Sequence, residues 1–341
     1  IAPHFYFILF VPLVHRCLSL FIYKNIGLFF HYIEVIMITN YLSINSDREE
    51  NLIRIFPDFP VSVYRTDFSD PSYQLVSWHW HEDFQFCLVD RGEVCFQTPG
   101  SRFPISSGCG NFLNRRLVHS ALPLTPDSSY YCINFSPALL TAASGAALSD
   151  AMVLPLLNEE TLSFFQFDAL TPDGSLLTDS ICRILQLSEN HTPESSFQVY
   201  GILFSLWIIA WRFLRQDEST FNKRGDTSAA NSRLKEIFHY LQAHYSQKIT
   251  LREISDAVCL CPEECERFFK RMTGITIFQY LLEYRIKKSQ ELLNNSRLSI
   301  AEIAQSSGFT TQSYYSSCFK RLTGCTPGAY RKRKISLITF L

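Results

Sequence analysis

No Gly-rich phosphate loop, no nucleophile elbow and no zinc-spaced cluster of cysteine and histidine occurs in the 341 residues. Those absences remove phosphate-loop nucleotide hydrolases, hydrolases of the elbow type and zinc-finger modules from the candidate functions. Cys259, Cys261 and Cys265 lie close together but lack a fourth ligand at usable spacing. The eleven cysteines show no paired spacing, and Cys87, Cys95 and Cys132 sit in apolar stretches, so they read as buried thiols in a reducing cytoplasm. Catalytic residues, a metal site and a cofactor are accordingly not expected.

An uninterrupted membrane-length run is also missing from the first 36 residues. A transmembrane helix needs about 20 consecutive apolar residues, and this segment is cut by His15, Arg16, Lys24, His31 and Glu34. It has neither the charged start nor the small-residue cleavage site of a signal peptide. Residues 1–36 are expected to be upstream translated sequence ahead of Met37, with a membrane anchor as the alternative.

What the chain does have is an uneven charge. Residues 231–341 carry 17 Lys and Arg against 9 Asp and Glu, a net +8, and residues 1–230 carry 14 against 23, a net −9. A basic C-terminal part suits a polyanionic partner, and the acidic remainder does not.

The most informative stretch is SIAEIAQSSGFTTQSYYSSCFKRLTGCTPGAYR, Ser299 to Arg331. Ser299 and Glu302 form a capping box, with Leu298 and Ile303 as its hydrophobic staple. Gly308 stops this helix, and Thr310 or Thr311 caps a second, whose Tyr314, Tyr315, Cys318, Phe319 and Leu322 are read as its core face. Two short helices around a glycine turn make a helix-turn-helix, the second helix entering the DNA major groove. An earlier copy is visible: Thr250 and Glu253 repeat the capping box, and FKRMTG at Phe269 recurs as FKRLTG at Phe319. Between the two units an amphipathic helix around Ile277 to Leu293 is predicted as a rigid connector. Such a connector sets two recognition helices into successive major grooves, about 34 Å apart.

These residues closely resemble the C-terminal signature of AraC-type transcriptional regulators over about 30 positions. The resemblance implies double-stranded DNA as partner and, for an activator, RNA polymerase. In the first unit, Pro262 opens the second helix, and Arg267 holds the position that the resemblance gives to base reading. Arginine to guanine is the commonest specific contact. Glu263 and Glu266 share that face and are either contacts to cytosine or a solvated surface. In the second unit the corresponding side chains are Thr311, Gln312, Ser313, Ser316 and Ser317. Lys270, Arg271, Lys320, Arg321 and the basic run Arg331 to Lys334 read as phosphate neighbours or as plain solubilising charge.

Upstream, from Val61 to about Phe135, short alternating runs separated by Gly, Pro, Asn and Asp predict an antiparallel β domain. His79, His81 and Gln85 share odd parity, so on a continuous strand all three point to one face. His-x-His-x-x-x-Gln followed by six residues and Gly92 is similar to the first motif of cupins, with Gln85 in place of the usual Glu. His119 matches the histidine of the second motif. The resemblance implies a cupin-like barrel that binds a small-molecule effector, such as a sugar or related metabolite, through His79, His81, Gln85 and His119; metal ligands and plain structural histidines are the alternatives. Trp78, Trp80, Phe84 and Phe86, of opposite parity, are expected to pack on the outer face.

Residues 174–216 predict two helices, the second almost uncharged over FQVYGILFSLWIIAWRFL. It is expected to pack against the barrel and against a second copy in a homodimer; a membrane span is the alternative. The expected multidomain order is therefore an apolar leader (1–36), an all-β cupin-like effector domain (37–150), a helical dimerisation region (151–216), a linker (217–231) and an all-α DNA-binding domain with two helix-turn-helix units (232–334). The function expected is effector-controlled, sequence-specific transcription regulation by a cytoplasmic protein. The alternatives are a metal-dependent cupin enzyme fused to DNA-binding helices, or a membrane-tethered regulator.

Overall fold

A computed structural model describes residues 38–39, 59–69, 75–158, 164–190, 192–216 and 224–338. The apolar leader, residues 1–36, lies outside the described residues. The N-terminal half is two facing sheets. One runs in the order β1 (Ile38–Thr39), β2 (Val61–Asp67), β9 (Ser129–Phe135), β4 (Phe84–Arg91), β7 (Cys109–Leu113), β10 (Phe164–Asp168). The other has β3 (Val76–His79), β8 (His119–Pro123), β5 (Glu93–Thr98) and β6 (Ser101–Ser106). Except for the parallel β1–β2 pair, the pairings are antiparallel.

Alternation decides what each face of the six-stranded sheet meets. Phe84, Phe86 and Leu88 of β4, with Phe112, Ile133 and Phe135, point away from the other sheet into a core shared with two helices. These are α3 (Pro172–Leu187) and α4 (Pro193–Gln216), which follow the short helices α1 (Ala138–Met152) and α2 (Leu154–Asn158). Trp207 of α4 stacks on Phe84 with ring centroids 4.5 Å apart. Among the described residues α4 is the one helix long and apolar enough to cross a membrane. Its Val199, Leu203, Leu206, Trp207 and Ala210 are buried against the sheet, whereas Phe197 and Ile208 face outward, 79% and 52% exposed.

The C-terminal half is helical: α5 (Arg224–His244), α6 (Leu251–Ala257), α7 (Pro262–Thr273), α8 (Ile277–Asn295), α9 (Ile300–Ser306), α10 (Gln312–Thr323) and α11 (Pro327–Ile338). Helix α5 begins at Arg224, inside the stretch expected to be linker. Both capping boxes form: Thr250 with Glu253 opens α6, and Ser299 with Glu302 opens α9. Each satisfies backbone donors that helix starts leave open. After α9 the chain turns at Gly308, φ +80°. A Cβ there would sit 2.3 Å from the Tyr245 carbonyl and 2.8 Å from Arg285 Nε, so glycine is needed for space as well as for φ. Cys259 holds the equivalent turn in the first unit at φ +53°, a conformation that costs a side-chain residue more.

The two halves pack together. Trp78, Trp80 and Val118 of the β domain are buried in one cluster with Leu234, Ile237, Phe238 and Tyr280. Lys235 Nζ lies 4.8 Å from the Trp80 ring centroid. The Val118 amide donates to Asn231 Oδ1 (3.0 Å), whose Nδ2 donates to the Arg116 carbonyl (3.1 Å).

Candidate effector cavity and nucleic-acid face

His79 and Gln85 do not share a continuous strand, as parity had implied. Strand β3 ends at His79, the chain bends after His81, and β4 starts at Phe84 in the other sheet. The residues still converge, because the inner faces of the two sheets look at each other. His79 pairs in register with His119 on β8, their ring centroids 4.2 Å apart, and His81 lies 5.0 Å from the His119 ring. All three rings are at most 4% exposed.

Hydrogen bonds fix the imidazole tautomers. Nδ1 of His79 donates to the Ser77 carbonyl (2.8 Å), that of His81 to the Asp83 carbonyl (2.8 Å) and that of His119 to the Leu117 carbonyl (2.7 Å). A carbonyl only accepts, so each Nδ1 carries a proton, and the neutral rings of His79 and His119 offer their Nε2 lone pairs. Burial, with the neighbouring imidazoles adding to it, holds His79 well below the ordinary histidine range and His119 down to about 3. Burial lowers His81 too, against the opposing pull of Asp83. Gln85 joins this group: its Oε1 lies 3.3 Å from His81 Nε2, and its Nε2 donates to the Tyr64 hydroxyl (3.4 Å) and to Cys132 Sγ (3.3 Å). The buried His119 Nε2 has no hydrogen-bond partner among the described residues. The rings pack on one another, and among the described residues no group of three or more His, Cys, Asp or Glu is placed to hold a metal ion.

His79, Gln85 and His119 line a cavity of about 250 Å³, together with Tyr64, Thr66, Cys87, Phe96 and Tyr130. His81 is not in the lining; it touches Gln85 and His119 from behind. The opposite wall comes from the helical half: Glu283, Ile286, Lys287, Gln290, Glu291 and Asn294 of α8, with Leu322, Thr323 and Tyr330 beyond. Sequence reading missed this wall, about 200 residues further along the chain. The amphipathic pattern of α8 marked it as a connector and carried no sign of a ligand.

On the helical half, Glu263, Glu266, Arg267 and Lys270 of α7 line one shallow surface groove beside Leu251. Arg267, Glu263 and Lys270 are exposed and Glu266 is half-buried, while Cys265, Phe268 and Phe269 turn inward. On α10, Gln312, Ser313, Ser317 and Lys320 are exposed, as is Arg321, and Ser316 is half-buried. Thr311 is the N-cap, accepting from the Tyr314 amide at 3.2 Å, so its hydroxyl serves the helix start. Tyr314, expected on the core face, is 55% exposed and stands with the polar residues of α10. Tyr315, Cys318 and Phe319 fill the core instead.

Comparison with known proteins agrees with both halves. Residues 60–205 match the AraC-like ligand binding domain and residues 254–333 match a helix-turn-helix domain. The uncharacterised HTH-type transcriptional regulator YdeC of Bacillus subtilis is 28% identical over 81% of this chain and 92% of its own length. The HTH-type transcriptional activator RhaR of Mannheimia succiniciproducens is 29% identical over 46% of this chain and 54% of its own. The arabinose operon regulatory protein of Escherichia coli is 28% identical over 30% and 35%, respectively. A β ligand-binding domain packed onto paired helix-turn-helix units, with both family matches falling on those halves, places this chain in the AraC family of transcriptional regulators.

Proposed function

We propose that a small polar effector in the cavity between the β domain and α8 controls how this regulator reads DNA. The observation that carries the proposal is the shared cavity: one wall is His79, Gln85 and His119, and the other is the connector between the two helix-turn-helix units. A ligand there touches both, and it favours one arrangement of the recognition helices in proportion to its differential contacts with the two states. The neutral Nε2 acceptors, the Tyr64 hydroxyl and the Gln85 amide suit hydroxyl groups, and they support a sugar or related metabolite. A relative matched over 102 residues is named for the arabinose operon, in keeping with that ligand class.

In this reading Arg267 reads base edges, Gln312 and Tyr314 contribute from α10, and Lys270, Lys320 and Arg321 hold phosphates. Glu263 and Glu266 limit the approach to phosphate. Two copies associate through the outward face of α4 at Phe197 and Ile208, and the dimer works in the cytoplasm, meeting RNA polymerase where it activates. YdeC, RhaR and the arabinose operon protein are named as regulators, which supports a regulator rather than an enzyme. Footprinting of the full chain on DNA upstream of its neighbouring genes, with and without a panel of monosaccharides and related metabolites, tests the proposal. Protection of paired segments one helical turn apart, altered by one compound class, is the expected result. Protection insensitive to the whole panel and to cell extract would overturn effector control.

A further inference from the structure

The six-stranded sheet sets Cys87 of β4 directly opposite Cys132 of β9, 45 residues further along the chain. Their sulfur atoms are 3.5 Å apart, and both residues are fully buried. A disulfide has its sulfurs about 2.05 Å apart and needs facing Cβ atoms, which directly opposed residues on adjacent strands supply. Covalent closure therefore requires movement of the two sulfurs and leaves the strand register in place. Access is provided on one side: Cys87 lines the effector cavity, while Cys132 lies beside it against the Gln85 amide.

We infer that Cys87 and Cys132 are a peroxide-oxidisable dithiol, a modification site in the wall of the cavity. The Cys87 sulfur attacks one oxygen of hydrogen peroxide; the O–O bond breaks, the departing hydroxide leaves as water with the thiol proton, and Cys87 becomes a sulfenic acid. The Cys132 sulfur then attacks the Cys87 sulfur, the S–O bond breaks, and the hydroxide takes the Cys132 proton to leave as a second water. Two thiols lose two electrons and two protons, and one peroxide becomes two waters. A sulfenic acid with a resolving thiol in contact is short-lived and is diverted from further oxidation. In a reducing compartment the bridge is reversible, which suits a sensor more than a structural staple. Oxidation also removes the Cys132 thiol from its contact with Gln85, whose amide reaches His81, so the polar row behind the cavity changes with it. That consequence rests on the effector reading, whereas the linkage itself does not.

The test is a peptide map of the reduced full chain after brief exposure to hydrogen peroxide, with remaining thiols alkylated under denaturing conditions. The expected product is a peptide pair joining Cys87 to Cys132, undone by dithiothreitol. In C132S the link is absent, and dimedone traps a sulfenic acid at Cys87. Should C132S fail to fold, the wild-type map decides alone. Peroxide that leaves Cys87 and Cys132 fully alkylatable, or that joins either one to a different cysteine, would overturn the inference.

Discussion

Lowering the pH from about 7.5 to about 5 should destabilise the β domain well before its carboxylates titrate. His119 is buried and neutral, and its pKa is held down to about 3 by desolvation and by its neighbour His81. In the unfolded chain the same imidazole titrates near 6.5. Between those values the unfolded state binds a proton that the folded state refuses, so stability falls as pH falls. Integrating that difference over this pH range gives a loss of about 2 kcal/mol from His119 alone. His79 and His81, also shifted down, add in the same direction. Carboxylates enter later: despite burial, Asp67, hydrogen-bonded by Ser69, and Glu82, hydrogen-bonded by Arg116 and Arg115, both titrate below their ordinary values. Urea unfolding followed by tryptophan fluorescence at a series of pH values measures the slope, since Trp78, Trp80 and Trp207 are all buried in the packed domains. His119→Asn keeps a donor for the Leu117 carbonyl and removes the titration, so it should recover about 2 kcal/mol of the acid loss. An unchanged slope in this variant would refute a buried neutral imidazole at position 119.

On DNA, Arg267→Ala should cost about 1–3 kcal/mol on a preferred site and relax its sequence preference, whereas Lys320→Ala should weaken all sequences alike and lower the salt slope by about one. Equal losses on specific and random DNA for Arg267→Ala would remove it from the base-reading set. Placing Asp at Leu206 should unfold the β domain, because this residue is fully buried in the protomer's own core and an unpaired buried charge is strongly disfavoured. Asp at the exposed Ile208 should leave the protomer folded and shift sedimentation from dimer to monomer; a dimer unaffected at micromolar concentration would place the interface elsewhere. Gly308→Ala should destabilise the second helix-turn-helix, measured by thermal unfolding, since the new methyl meets the Tyr245 carbonyl.

The helical half was the more legible part because its signals are local. Capping boxes, a proline at a helix start and glycines at helix ends are decided within three or four residues, and α6 to α10 follow them closely. Tyr314 was misplaced because a short helix with aromatics at adjacent positions leaves one of them outside, and spacing does not choose which. In the β half, alternation foretold the apolar outer face of β4 and set His79, His81 and Gln85 on one face, while His119 came from the motif resemblance alone. It could not show that the chain passes from one sheet to the other between His79 and Phe84. Nor could it show that α8 closes the cavity or that Cys87 faces Cys132, since both depend on register between distant segments. The stretch before Asn231 reads as polar linker by composition, yet α5 starts at Arg224 and its later turns bury Leu234, Ile237 and Phe238 against Trp80. Tertiary packing there overrides a weak local preference.

The most direct measurement is operator affinity with and without the effector, for the parent protein and for the double variant His79→Ala, His119→Ala. Neither histidine lies on α7 or α10, so the variant, shown to be folded, should bind the operator as the parent does without effector. Its affinity should then stay unchanged as effector is added, while that of the parent shifts. An effector response that survives in the folded double variant would contradict a sensor in the cavity between the β domain and α8.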